Sequence, residues 1–336
     1  MLNLPAHQRV ILRADSPPVL TVVVDTEEEF DWSQPFSRSN TSTQSIAAQP
    51  LAHQRVFDKH GVVPTYVIDW PVVSNPAAVK VLKALMLEGR CEIGTHLHPW
   101  VTPPYDEEVN TFNSYAGNLP QELECKKLET LTDAIEAAFG QRPIVFKAGR
   151  YGVGPHTADT IARLGYLIDA SMVPYTNMSA DGGPDFSGHG VHPFWFKADG
   201  KTLLELPATA GYAGRMHRLG SVLYPALQQP LARQLHLPGI ASRLGLLERV
   251  KLTPEGYTRQ ELIGVTKSLV AQGCKYLGLT YHSPSLAPGH TPYVKSAQDL
   301  EDFLQTLDAY LSYFLNQLKG QTMSVPSYLR WARSLL

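Results

Sequence analysis

The chain has 336 residues, 43% hydrophobic and 18% charged, with a formal net charge of −2 at pH 7. That is the composition of a globular protein with a well-filled core, large enough for one α/β barrel or two medium domains. A near-zero charge without blocks of like sign argues against a nucleic-acid or anionic-membrane partner, and no apolar run approaches the roughly 20 residues of a membrane span.

Cys91, Cys125 and Cys274 lie far apart with no paired spacing. This fits reduced, mostly buried thiols rather than a disulfide framework or a zinc ribbon. Met1–Pro18 carries charges and prolines but no apolar core of signal-peptide length, so the expected location is the cytoplasm.

Taken in chain order, seven short apolar runs read as parallel strands buried on both faces. They are Leu20–Val24, Thr65–Ile68, Cys91–Gly94, Ile144–Phe146, Leu167–Asp169, Leu203–Leu206 and Tyr276–Leu279. Amphipathic stretches between them read as helices: Ser45–Lys59, Pro76–Glu88, Pro120–Phe139, Pro155–Leu164 and Arg259–Gln272, with a last one at Ala297–Leu318. Pro76, Pro120 and Pro155 stand near helix starts, and Gly61, Gly89, Gly140, Gly165 and Gly273 just past helix ends, the places where a missing N–H and a left-handed residue fit.

This strand-then-helix rhythm predicts an α/β fold, a parallel sheet with right-handed crossovers that is closed or nearly closed into a barrel. No glycine-rich turn follows the first strand, which removes the main support for a dinucleotide-binding sheet. Residues 211–251 break the rhythm and read as a partly helical insertion over one edge of the barrel, between the sixth and seventh strands. With no internal repeat and no linker, residues 1–336 read as a single domain.

Catalytic groups in β/α barrels come from the carboxyl ends of the strands, and polar residues cluster there. The first strand runs into Asp25, Glu27, Glu28, Glu29 and Asp31, and the third into His96 and His98. The fourth leads to Lys147 and Arg150, the fifth to Asp169 and Ser171, the sixth to Glu205, and the seventh to His282. Asp25 directly ends a Val-Val-Val run and should point to the barrel axis. Glu28, Glu29 and Asp31, taken singly, read better as caps or solvent-facing groups. His96 and His98 alternate at strand period, so both imidazoles share a face beside carboxylates, a pattern that fits a divalent metal. Arg150 fits a structural ion pair with Asp169 as well as a substrate or orienting role. His282 alone reads as a hydrogen-bonded core residue, and His53 and the remaining histidines as surface or insertion residues. Trp32, Trp100, Tyr151 and Tyr281 flank the polar groups, either as core or as platforms for a sugar.

The ordered set Val24-Asp25-Thr26-Glu27-Glu28, Glu92-Ile-Gly-Thr-His96-Leu-His98-Pro99, Ala148-Gly-Arg150, Leu164-Gly-Tyr-Leu-Ile-Asp169-Ala-Ser171, Leu204-Glu-Leu-Pro207 and Tyr281-His282-Ser-Pro284 belongs to a resemblance that spans roughly Val19 to Tyr293. In it the chain resembles the polysaccharide deacetylase family, the NodB-homology carbohydrate esterases, and within it the WalW-like branch. The resemblance implies a distorted (β/α)7 barrel that hydrolyses N- or O-acetyl groups on sugars with one divalent metal, expected to be zinc. It matches Asp25 to the general base, Glu27 to the metal carboxylate and His96 to the first metal histidine, with His98 expected as the second. It matches Arg150 and Asp169 to the pair that orients the base, and His282 to the general acid. Trp100, Tyr151 and Tyr281 are the expected substrate contacts.

The chain departs from the family at three places. Asp-Thr-Glu-Glu replaces adjacent aspartates, so base and ligand can be exchanged among Asp25, Glu27 and Glu28. Trp100 stands where the second metal histidine usually does, with His98 only two residues from His96. Tyr151-Gly152 follows the arginine in place of a proline. Two other readings stand beside the deacetylase: a metallo-amidohydrolase acting on a small amide, and a catalytically degenerate barrel that binds carbohydrate.

Overall fold

The computed structural model describes residues 8–13, 15–31 and 33–335; Trp32 lies outside them. The strands in chain order are β1 (Gln8–Arg9), β2 (Val19–Thr26), β3 (Thr65–Ile68), β4 (Glu92–Leu97), β5 (Val145–Ala148) and β6 (Ile168–Asp169), followed by β7 (Phe194–Ala198), β8 (Lys201–Glu205), β9 (Ala210–Ala213), β10 (Glu248–Lys251), β11 (Tyr276–His282) and β12 (Gln321–Thr322). Parallel pairing runs β8-β6-β5-β4-β3-β2-β11, and each expected apolar run overlaps one of these strands to within a residue at its ends or lies inside it.

The result is a mixed α/β fold whose sheet curls into a half-barrel. It does not close by strand pairing among the described residues. The chain leaving β8 spans the gap instead, with the Thr209 N–H donating to the Gly278 carbonyl at 3.0 Å and the Thr209 hydroxyl accepting from the Gly278 N–H at 2.8 Å. β12 pairs with Val19 and Leu20 at the lower part of β2, below the point where β3 takes over that edge.

Four expected helices form with small shifts at their ends, at Pro76–Leu87, Gln121–Phe139, Thr157–Leu164 and Arg259–Ala271; the last is α-helical over Ala297–Ser312 and continues as a π turn over Tyr313–Gln317, and the stretch expected at Ser45–Lys59 is a succession of 3-10, α and π turns. Gly140 and Gly165 end theirs at φ 81° and 95°, a left-handed backbone that costs glycine nothing. The β7–β8 hairpin was legible but overlooked. Its two-residue turn is Asp199-Gly200, both at positive φ, as the mirror-image turn of a tight hairpin requires. Residues 211–251 form an antiparallel ribbon of β9 and β10 that encloses three short helices, Gly220–Leu227, Pro230–Gln234 and Leu237–Arg243.

The two-residue period of the strands sorts their side chains. Val19, Val23, Val67, Val145, Ile168, Leu204 and Tyr276 pack together inside the half-barrel, and Val325, Tyr328 and Leu329 of the helix Val325–Arg333 pack against them. The alternate residues Leu20, Val22, Val24, Tyr66, Ile68 and Phe146 lie under the outer helices. By this parity Asp25, His96, His98, Lys147 and His282 are directed inward. Asp169, Glu205 and Tyr281 are directed outward.

Candidate active site

Three acceptor atoms converge above the interior. Glu27 Oε2 lies 3.3 Å from His96 Nε2 and 3.4 Å from His98 Nε2, and all three side chains are buried. The opposite ring nitrogens set the tautomers. His96 Nδ1 lies 3.1 Å from the Lys147 carbonyl, which can only accept, so Nδ1 carries the proton and Nε2 presents a lone pair. His98 Nδ1 lies 2.8 Å from Glu28 Oε2, the carboxylate partner typical of a metal-bound histidine. His98 Nε2 is buried without a hydrogen-bond partner. Burial pushes both imidazoles down to about 4 and Glu27 up to about 7. Neutral imidazoles and a carboxylate facing one point suit a divalent cation. Separations of 3.3 and 3.4 Å match the edge of a tetrahedron whose ligand distances are about 2.0–2.1 Å.

The surroundings hold this trio in place. Glu28, read in sequence as a cap or a solvent-facing group, is fully buried. Its Oε1 accepts from Trp100 Nε1 at 3.0 Å, and its N–H donates to Asp69, which also caps the helix Trp70–Ser74. Trp100 is therefore no substrate contact: it is 1% exposed and stacks on His98 with ring centroids 4.3 Å apart. Gly149 leaves room for the same ring, since a Cβ there would sit 2.2 Å from His98 Cδ2.

Asp25 lies at the next inward position. Lys147 Nζ donates to both of its oxygens, at 2.5 and 2.7 Å, with both side chains buried. Burial alone would raise the Asp25 pKa, but the Lys147 ammonium first, then His96 and His282, together outweigh it and hold the carboxyl below the usual aspartate value. His282 Nε2 faces Asp25 at 3.9 Å, while Glu255 accepts from its Nδ1 at 2.8 Å and from its backbone N–H at 3.0 Å. Burial pushes the His282 pKa down, but the carboxylates of Glu255, Glu27 and Asp25 win and raise it to about 10.

Asp25, Glu27, His96, His98, Tyr151, Arg150 and His282 all line one cleft of about 250 Å³, together with Lys147, Tyr115 and Lys251. Three expectations need correction. Arg150 and Asp169 do not pair. Arg150 has left-handed φ of 54°, bonds Ser114 and lies over the Tyr115 ring. Asp169 points outward, where its Oδ1 accepts from the Ser171 N–H and hydroxyl. Tyr281 is also on the outward face, 1% exposed and edge-on to Phe303, so it cannot touch a ligand in the cleft. His53 is core rather than surface: it is fully buried and bonded to the Tyr66 hydroxyl at 3.0 Å.

Two residues at this site have no role in the sequence reading. Lys147 was visible at the inward parity of the fourth strand. Glu255 lies in a loop with no periodic signal.

Asp169 and Glu205 sit side by side in the register of β6 and β8, both buried. Burial raises the Asp169 pKa from 3.8 to about 6. Its contribution to stability is therefore full below the ordinary aspartate pKa and is lost as the pH rises to about 6. Asp169→Asn keeps an acceptor for Ser171 and adds a donor beside Glu205. It should stabilise the protein by about 1–3 kcal/mol at pH ~8, a gain that vanishes near pH ~4. Urea unfolding at the two pH values checks this, and a destabilised variant at the higher pH would refute it.

No sequence family and no curated protein matches the chain. Solved structures do. One is a Mycobacterium smegmatis protein assigned to the polysaccharide deacetylases, with TM-score 0.52 over 100% of this chain and 95% of that one at 16% identity. A Pseudomonas aeruginosa PAO1 protein with the same assignment gives 0.54 over 98% and 94% at 15% identity. Puue allantoinase gives 0.56 over 98% and 93% at 15% identity. At such identities the likeness establishes a shared fold, the α/β half-barrel described above.

Proposed function

We propose that this chain is a metal-dependent carbohydrate deacetylase, a hydrolase that removes an acetyl or formyl group from an amino sugar. Its architecture is then the distorted (β/α)7 barrel of the NodB-homology family, with residues 211–251 as an insertion and the WalW-like branch as nearest kin. The observation that carries the reading is the convergence of Glu27 Oε2, His96 Nε2 and the partnerless His98 Nε2 at the base of an open cleft.

Glu27, His96 and His98 would hold a divalent cation, zinc by the donor set, which when bound would supply Lewis acidity and lower the pKa of water from ~16 to ~7. Asp25, kept ionised and oriented by Lys147, accepts the proton of the attacking water. His282, fixed by Glu255 through Nδ1, offers a proton from Nε2 to the leaving nitrogen. Glu28 acts on the reaction only through the orientation of His98. Arg150, Tyr151, Tyr115 and Lys251 form the cleft walls that would contact the sugar. Arg150 thus changes from orienting the base to contacting substrate.

Elemental analysis tests the site. The native protein should carry one equivalent of a divalent metal after gentle purification or reloading, and His96→Ala should lose it together with deacylation of N-acetylated amino sugars. Substoichiometric metal in the reloaded native protein would refute the reading. A cleft of about 250 Å³ lies just below the range of about 300–1,000 Å³ usual for ligand pockets. This favours, as a second reading, hydrolysis of a small amide, in keeping with the likeness to an allantoinase. A side-by-side screen of acetylated amino sugars and small cyclic amides separates the two.

A further inference from the structure

The cap between β9 and β10 differs in composition from the rest of the molecule. Residues 211–247 hold Arg215, Arg218, Arg233 and Arg243 and two histidines, but no Asp, Glu or Lys. The whole-chain charge of −2 conceals this segregation, which is why net charge spoke against an anionic surface. All four arginines are exposed. The same stretch carries eight of the fourteen exposed large hydrophobic side chains among the described residues, with Val222 71%, Leu231 67% and Leu244 62% exposed. Monomeric proteins rarely leave so much apolar surface in one place without a use for it.

The local geometry joins the two features. Between the helices Pro230–Gln234 and Leu237–Arg243 runs a groove of about 290 Å³, lined by Arg233, His236, Ile240 and Arg243. Two guanidinium groups and an imidazole thus border an apolar floor. No helix among the described residues is long and apolar enough to cross a membrane. Short helices with leucines and arginines exposed together suit a position in the plane of a bilayer surface, where the apolar side chains enter the headgroup–acyl boundary and the arginines meet phosphates.

We propose that this cap docks the protein on the surface of a bilayer containing anionic phospholipids. A second copy of the chain is a poorer occupant, because a two-fold contact would set these four arginines against their equivalents with Glu248, at the foot of the ribbon, as the nearest acid in sequence. The ribbon that carries the cap ends at Lys251, on the wall of the catalytic cleft. The inference rests on the cap alone and stands whether or not the hydrolase reading holds.

Vesicle flotation with the full chain tests it. The protein should float with phosphatidylcholine vesicles containing phosphatidylglycerol, not with phosphatidylcholine alone, and the bound fraction should fall as salt is raised. Arg233→Glu with Arg243→Glu, and separately Leu231→Asp with Leu235→Asp, should each lower the partition at least about tenfold. Both pairs are exposed, so melting temperature and metal content should match the parent. No flotation of the parent at low salt would overturn the proposal, as would parental binding by both variants. A dimer of the parent that Leu231→Asp with Leu235→Asp converts to monomer, without flotation, would assign the surface to a second copy and overturn it too.

Discussion

Lys147→Met should cost the fold about 3–5 kcal/mol, because it takes from a buried carboxylate the cation bonded to both of its oxygens, and should abolish most turnover. Lys147 Nζ contacts both oxygens of Asp25, and the two side chains are 1% and 6% exposed. The remaining cation near Asp25 is the His282 imidazolium, which at 3.9 Å is beyond hydrogen-bond reach, while burial keeps His96 neutral. In the parent, Asp25 titrates below its ordinary value of 3.8. Its contribution to stability is therefore present above the ordinary aspartate pKa and lost only as the pH falls through the lower, folded value. Without Lys147, burial dominates and the sign reverses: the variant should be weakest near neutrality and recover as acid protonates Asp25. Lys147→Arg should restore much of both stability and turnover. Adding Asp25→Asn to Lys147→Met should recover stability without activity, which separates the two effects. Urea unfolding between pH ~5 and ~8 reads the result, and an unchanged midpoint for Lys147→Met at neutral pH would show that the pair holds nothing.

The strands were legible because burial on both faces demands continuous apolar runs, and Val22-Val23-Val24 or Thr65–Ile68 admits little else. The same period of two places Asp25 and His98 inside and could have placed the rest. Ile168 faces the interior, so Asp169 must face the helices, and Leu279 by the same count sends Tyr281 outward. The expected Arg150–Asp169 pair failed on this count. It failed also because Arg150 and Tyr151 adopt left-handed backbone at φ 54° and 58°, which non-glycine residues seldom do and which no strand pattern foretells. Trp100 looked like a missing histidine. It is instead the donor that fixes Glu28, whose other oxygen fixes His98. Glu255 follows Pro254 in a loop, and its pairing with His282 spans 27 residues with no repeating pattern to reveal it.

His282→Ala should lower turnover on an N-acetyl sugar by about 10² to 10⁴ while sparing an activated ester such as nitrophenyl acetate. An amine leaves only when protonated, whereas nitrophenolate leaves unaided, so the difference between substrates isolates proton donation from other roles of the imidazole. The geometry supports a donor: Glu255 occupies Nδ1, and Nε2 faces Asp25 across the cleft. Glu255 is the first of the carboxylates that raise the His282 pKa to about 10 against the downward push of burial. Glu255→Gln retains an acceptor for the backbone N–H of His282 but removes that charge. Its imidazolium should then lose its proton at lower pH, and the alkaline limb of the amide pH–rate profile should move down relative to the parent. A residue that served only as a structural prop would lower the whole profile without shifting its limb. Equal losses of His282→Ala on amide and activated ester, with an unshifted limb in Glu255→Gln, would remove His282 from the role of acid and leave it as a wall of the cleft.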